Sequence, residues 1–320
     1  MAISKAARAA LRALSYPAAL DVDKTYKVER AIKQLGAPLA PLYHLWDRRI
    51  ERGDREIRVR LYEPAGGSSD KLLLFFHGGG WVVENVDTYN RVCRYMAKRT
   101  GCHVASVEYG LAPEHPFPVG LEDCYAAAKA VYRYPEELGV HARSITLIGD
   151  SAGGNLAAAV SLLARERGEF IVEQQILIYP ATYNDHTERS PFPSVRENGT
   201  DFLLTSQRVE EFMEMYSGGD EEKRRSPYLA PLLAKDLTGQ PRTLVVTAEY
   251  DPLRDEGEAY ARALEEAGVE VTLHRMPDAL HGYFSLTPRF AQVRRTYDWI
   301  DDFLKRGDKQ CQVPGETEGL

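Results

Sequence analysis

Residues 144–159 read Ser144-Ile145-Thr146-Leu147-Ile148-Gly149-Asp150-Ser151-Ala152-Gly153-Gly154-Asn155-Leu156-Ala157-Ala158-Ala159. A short apolar run meets a Gly-x-Ser-x-Gly turn and opens into small residues of helical character, so the order is strand, sharp turn, helix. A serine at the apex of such a turn is lifted clear of the sheet. Glycines must flank it, because a side chain there would strike the neighbouring strand or helix. The stretch proposes Ser151 as a nucleophile. Three fixed positions alone recur by chance in roughly one protein of this length in ten, given glycine near its ordinary abundance, so the surrounding sequence carries the decision.

Outward from that turn, apolar runs at 72–76, 104–107 and 145–148 alternate with helical patterns at 87–99 and 121–134. Strand alternating with helix means a parallel sheet. Residues 56–62 alternate polar and apolar as a half-exposed strand does. The alternation continues at 175–179 and then breaks. Residues 181–228 are polar, charged and proline-punctuated, with a helical pattern at 206–216 and no strand signal, and they read as an insertion. Strand patterns return at 243–247 and 269–273, with helices expected at 253–267 and 291–304. Residues 2–45 carry a helical pattern, with Ile3, Ala7, Leu11 and Leu14 on one face. Residues 307–320 read as a loose polar tail.

The bulk properties narrow the class. At 320 residues, 44% hydrophobic and 27% charged, the chain is an ordinary globular protein, read as one α/β domain with a decoration. A net charge of −7 without a Lys/Arg stripe argues against nucleic acid. Cys93, Cys102, Cys124 and Cys311 lie far apart, which suggests neither a zinc site nor a disulfide framework. Arg8 and Arg12 interrupt the alanine-rich N-terminus, so no secretory signal is expected and a cytoplasmic location follows. No run of about 18 apolar residues suggests a membrane span. Asn198-Gly199-Thr200 has the form of a glycan acceptor but reads as a polar loop.

Acyl transfer through serine needs a base, an acid to orient that base, and donors for the oxyanion. His281, in Ala279-Leu280-His281-Gly282-Tyr283, follows the last strand pattern, whereas His274 and His103 fall in or beside strands. Asp251 follows the strand ending near Thr247; with Pro252 it is equally an ordinary helix cap. Glu249 and Asp255 are rival acids. His77-Gly78-Gly79-Gly80-Trp81 ends another strand pattern, and its bare amides at Gly79 and Gly80, with that of Ala152, are candidates to hold the charge of a tetrahedral intermediate.

Taken together, His77-Gly78-Gly79-Gly80-Trp81, Leu111-Ala112-Pro113-Glu114-His115-Pro116-Phe117-Pro118, Gly149-Asp150-Ser151-Ala152-Gly153-Gly154-Asn155, Asp251-Pro252-Leu253-Arg254-Asp255 and His281-Gly282-Tyr283 resemble the hormone-sensitive-lipase family of esterases, in the bacterial branch with Asp before the serine. The resemblance implies an α/β-hydrolase fold: a mostly parallel central sheet with helices on both faces and a helical cap. Residues 1–45 and 181–228 would form the cap, 46–180 and 229–306 the catalytic domain. It implies a serine carboxylesterase for short-chain acyl esters, acetyl-esterase-like, with Ser151, Asp251 and His281 as triad; His77, Gly78, Gly149, Asp150 and Gly153 would be scaffold. An amidase or deacetylase on the same triad, or a non-catalytic binding protein on the same scaffold, are the alternatives. Trp81, Tyr43, Trp46, Phe202 and Phe212 are the expected acyl-pocket residues, each with cap packing as its other explanation. The family often carries Arg where this chain has Gly110. No cofactor or metal is implied; a homodimer is compatible, without a readable interface.

Overall fold

The computed structural model describes residues 22–35 and 45–310. In chain order the elements are α1 (Val22–Leu35), β1 (Leu45–Arg52), β2 (Arg55–Tyr62), β3 (Lys71–Phe76), α2 (Asn90–Thr100), β4 (His103–Val107), α3 (Val119–Arg133), β5 (Ser144–Asp150), α4 (Ala152–Arg167), β6 (Gln174–Ile178), α5 (Pro193–Glu197), α6 (Ser206–Ser217), α7 (Glu221–Arg224), β7 (Arg242–Tyr250), α8 (Arg254–Glu266), β8 (Val271–Leu280) and α9 (Ala291–Gln310). The eight strands form one sheet in the order β1-β2-β4-β3-β5-β6-β7-β8. β1 and β4 pair antiparallel with β2, and every other pairing is parallel.

The period-two pleat splits the central strands between two cores. Leu72, Leu74 and Phe76 face one core, which α3, α4 and α8 cover with Leu121, Leu156 and Tyr260. Leu73 and Phe75 face the other, covered by Met96 of α2 and by Tyr297 and Ile300 of α9. A sheet clad on both faces needs such continuous apolar strands. Each fully buried Leu or Phe contributes about 1.5–3 kcal/mol, and Leu74→Ala would cost about 2–5 kcal/mol. α4 is buried from Ala152 to Ala164, so it needs small residues where it crosses the sheet. A Cβ on Gly153 would lie 2.0 Å from the carbonyl oxygen of Phe76.

Several details depart from the sequence reading. β1, Leu-Trp-Asp-Arg-Arg-Ile-Glu-Arg, is an edge strand whose charges hide its alternation; Asp47 there holds Arg60 of β2 at 2.7 Å. The helical pattern assigned to 2–45 therefore ends, among the described residues, at Leu35, and its parts at 1–21 and 36–44 lie outside them. β8 runs to Leu280 rather than stopping at 273, because an edge strand tolerates Pro277 and a break in register at the positive-φ Asp278. α9 continues to Gln310, into the stretch read as a tail; the rest of that tail, with Cys311, lies outside the described residues. Residues 181–228 carry α5, α6 and α7 and no strand.

Candidate active site

The turn from β5 to α4 forces Ser151 to φ 56°, ψ −121°, a conformation that costs a non-glycine residue about 1–3 kcal/mol. Packing holds it there. The Ser151 amide donates to Ile178 at 2.8 Å, and a Cβ on Gly149 would meet the Gly153 carbonyl at 2.2 Å, so the turn closes only around glycine. Ser151 Oγ lies 2.8 Å from His281 Nε2.

His281 sits directly at the end of β8, and its Nδ1 lies 2.7 Å from Oδ2 of Asp251. The carboxyl group of Asp251 is fully buried, and its second oxygen accepts the Leu253 amide at 2.9 Å. The helix-cap reading of an Asp before Pro does not hold: α8 starts at Arg254 with Leu253 as its N-cap and no side-chain cap bond, and the second oxygen of Asp251 instead closes the two-residue turn that leads into it. Asn198, from the inserted segment, donates its Nδ2 to the carbonyls of Glu249 and Asp251 at 3.3 and 3.2 Å. It is 4% exposed, with its amide nitrogen engaged as a brace. The rival acids are engaged elsewhere: Glu249 accepts the Asp278 amide, and Asp255 pairs with Arg254 and accepts the Ser194 amide. His274 stacks on Trp299 and His103 lies within β4.

The glycine loop comes to the same place from β3. Gly79, Gly80 and Trp81 have φ of 109°, 60° and 59°, and no hydrogen bond joins the Gly79 or Gly80 amide to a described residue. The Ala152 amide is the first of α4, where helix amides lack intrahelical acceptors. Asp150 fastens this loop to the serine turn: its Oδ1 accepts the Gly78 amide at 3.0 Å, and its Oδ2 accepts the hydroxyls of Tyr89 and Tyr179 at 2.9 and 3.2 Å. Burial pushes the Asp150 carboxyl up to about 6, against the lowering effect of those two hydroxyls. Tyr179 packs on the His281 ring, centroids 4.7 Å apart. His77 is buried, stacks on Tyr109 and meets the Gly78 carbonyl through Nδ1 at 2.8 Å; burial holds its pKa below the ordinary histidine range.

A family model described as the alpha/beta hydrolase fold matches residues 73–285, which hold Ser151, Asp251, His281 and the glycine loop. The chain belongs to this family, in its hormone-sensitive-lipase-like branch. It is 39% identical to the carboxylic ester hydrolase LipN of Mycobacterium tuberculosis over 72% of this chain and 62% of LipN, so it spans somewhat under two thirds of that relative. It is 36% identical to an ethyl acetate hydrolase of Pseudomonas putida over 73% of this chain and 74% of that one. Among solved structures, the esterase of Pyrobaculum calidifontis superposes with a TM-score of 0.83 at 37% identity, covering 96% of this chain and 99% of that one.

In this hydrolase a cavity of about 520 Å³ opens over Ser151 and His281. Gly79, Gly80, Trp81, Val83, Val209 and Phe212 line it, with Glu29 and Lys33 of α1 and Arg208 of α6 on its rim. Of the five aromatic residues expected there, Trp81 and Phe212 are in place. Phe202 is buried against Tyr250, its ring stacked at 5.0 Å, beside a different cleft, because the 198–205 turn rolls it toward β7. Trp46 is half exposed on β1, at the far edge of the sheet. Tyr43 lies outside the described residues. The lining residues on α1, Val83 and Val209 carry no motif, and only the fold brings them together. Around Gly110 the β1–β2 hairpin supplies arginines: Arg55 and Arg52 pair with buried Asp123 at 3.0 and 2.7 Å, and Asp123 accepts the Gly110 amide at 2.9 Å. Glu114 and His115 act in the same frame, Glu114 holding Arg30 and His115 lying against Arg55. Among the described residues no group of three or more His, Cys, Asp and Glu is arranged to hold a metal ion.

Proposed function

We propose that Ser151, His281 and Asp251 hydrolyse short-chain carboxylic esters through an acyl-enzyme. The chain is a carboxylic ester hydrolase. The observation that carries the reading is the unbroken relay from Ser151 Oγ to His281 Nε2 at 2.8 Å and from His281 Nδ1 to Asp251 Oδ2 at 2.7 Å, at the floor of a cavity. His281 takes the serine proton as Oγ attacks the ester carbonyl, and Asp251 stabilises the imidazolium that forms. The carbonyl oxygen, now an anion, turns toward the amides of Gly79, Gly80 and Ala152. Each such donor is worth about 3 kcal/mol in the transition state. His281 then protonates the departing alkoxide, and water repeats the sequence on the acyl-enzyme.

Phe212 and Trp81 line the cavity together with Ser151, which supports a short acyl chain, and the ethyl acetate hydrolase relative points the same way. Residues 181–228 act as the cap over this cavity, with α1 beside them; Val209 and Phe212 of α6 reach the lining from that segment. Ser151→Ala tests the assignment. Turnover of 4-nitrophenyl acetate should fall by at least about a thousandfold, and a variant within tenfold of the wild type would overturn it.

A further inference from the structure

Residues 79–84 hold four positive φ angles, at Gly79 (109°), Gly80 (60°), Trp81 (59°) and Glu84 (90°). Two of these residues are not glycine, and each pays about 1–3 kcal/mol for that conformation. Such a loop keeps one shape only if its surroundings over-determine it. From within, the Gly79 carbonyl accepts the Val82 and Val83 amides at 3.1 and 2.9 Å, and Trp81 lies flat on Tyr216, centroids 4.6 Å apart. The outer clamp comes from α1. Arg30 Nε donates to the Val82 carbonyl at 2.6 Å and Nη2 to the Ala112 carbonyl at 2.7 Å, while Glu114 accepts from Nη1 and Nη2, each at 3.1 Å. The Ala112 amide in turn donates to the Trp81 carbonyl at 2.9 Å. One turn on, Lys33 pairs with Glu84, the last of the positive-φ residues.

We infer that α1, through Arg30 and Lys33, fixes the oxyanion loop, so that seating of this N-terminal helix is a condition for full turnover and not only a wall of the cavity. The inference rests on the triad and oxyanion reading above. Arg30 and Lys33 are three residues apart and so share a helix face. Val22 and Tyr26 of α1 are buried in the core while Val28 and Ile32 on its other side are exposed, so the Arg30 and Lys33 contacts add to an apolar anchor. A planar guanidinium satisfies two carbonyls and a carboxylate at once, in fixed directions; an ammonium does not. Arg30 touches no reacting atom. It is a positioning residue, and its loss should act on the transition state, where the loop amides are used, more than on substrate binding.

The test compares Arg30→Ala, Arg30→Lys, Lys33→Ala and, as a control on the exposed side of α1, Ile32→Ala, with 4-nitrophenyl acetate as substrate. Arg30→Ala should lower kcat by about 10–100-fold with KM within about threefold; Arg30→Lys should recover little of it, Lys33→Ala should show a smaller loss and Ile32→Ala none. Millimolar guanidinium should restore part of the Arg30→Ala rate and none of the control's. Affinity for a trifluoromethyl ketone, which forms a tetrahedral adduct on serine, should fall in parallel with kcat/KM. Unchanged kcat in Arg30→Ala, or a raised KM alone, overturns the inference, as does full recovery by Arg30→Lys. Should Arg30→Ala fail to fold, the Arg30→Lys kcat and ketone affinity decide. Labelling of wild-type Ser151 by a fluorophosphonate separates the two claims. Failure to label removes the triad reading itself, whereas labelling with a normal Arg30→Ala kcat removes only the role of α1.

Discussion

Oδ2 of Asp251 lies 2.7 Å from Nδ1 of His281 while Oδ1 of the same carboxylate accepts the Leu253 amide at 2.9 Å. One side chain thus fixes both the base and the start of the turn that leads into α8. Replacing it with asparagine separates the two duties. In Asp251→Asn the amide oxygen still serves Leu253, but the amide nitrogen confronts Nδ1 and favours the tautomer with the proton on Nε2, which cannot accept from Ser151. We expect kcat to fall by about 10⁴-fold, the scale seen for this change in a serine protease triad, with thermal stability nearly unchanged. A loss under tenfold would mean that Asp251 only caps the turn.

Phe212 reaches the cavity from α6 and packs against Gly80, where a Cβ would come within 2.4 Å of its ring. Phe212→Ala should lengthen the acyl site. The ratio of kcat/KM for 4-nitrophenyl hexanoate over acetate should rise by about tenfold or more, the worth of one or two accommodated methylenes. Phe202→Ala, which alters a side chain stacked on Tyr250 beside another cleft, should leave that ratio alone. Equal ratios in the wild type and Phe212→Ala would remove Phe212 as the limit on chain length.

How much of this was legible in the sequence follows from the reach of each signal. Ser151, the glycines at 78–80, Asp251 and His281 each stand at a strand end and announce themselves locally, by turn chemistry and apolar runs. β1 did not, because an edge strand carrying Asp47, Arg48 and Arg49 has no apolar face to pattern. The cavity wall was partly opaque for another reason. Phe202 and Phe212 are equally aromatic and lie in the same insertion, and only the turn before α6 decides which ring faces the nucleophile and which faces Tyr250. The braces were least visible: Asn198 reaches Asp251 across 53 residues, and Arg30 reaches Val82 across 52. No local pattern encodes such pairings.

Asp150 carries a buried carboxylate with three hydrogen bonds and no cation partner among the described residues, and its pKa is raised from 3.8 to about 6. An acid whose folded pKa exceeds its unfolded value favours folding in the protonated form, so its benefit is complete below about 4 and lost as pH rises through 6. Asp150→Asn keeps an acceptor for Gly78 and a donor for the tyrosine hydroxyls without the charge. At pH 7–8 it should therefore be more stable than the wild type, by at most roughly 3 kcal/mol for a two-unit shift, with the gap closing between pH 6 and pH 4. Melting temperatures of both proteins across that range check it; a variant less stable at pH 8 would show that the ionised carboxylate is worth more than its desolvation.

His186 supplies the opposite slope. It is fully buried in the inserted segment, with Nε2 at 2.7 Å from Glu256 of α8 and Nδ1 at 3.6 Å from Glu210 of α6, which also pairs with Arg224. Burial alone would lower its pKa, but the two carboxylates outweigh it and raise it to about 9. The folded value lies above the unfolded 6.5, so the stabilisation is complete below about 6.5 and disappears as pH rises through 9. Glu256 also accepts the Thr182 and Tyr183 amides, so the charged pair joins the start of the insertion to the helix that follows Asp251. His186→Gln should lower the melting temperature most at pH 6, with the difference shrinking toward pH 9.5. Because Glu210 lies on the helix that carries Phe212, the wild-type KM for 4-nitrophenyl butyrate should also climb above pH 9, and that climb should be absent in His186→Gln. A pH-independent gap in melting temperature would mean that the imidazole is neutral in its pocket and serves only to fill it.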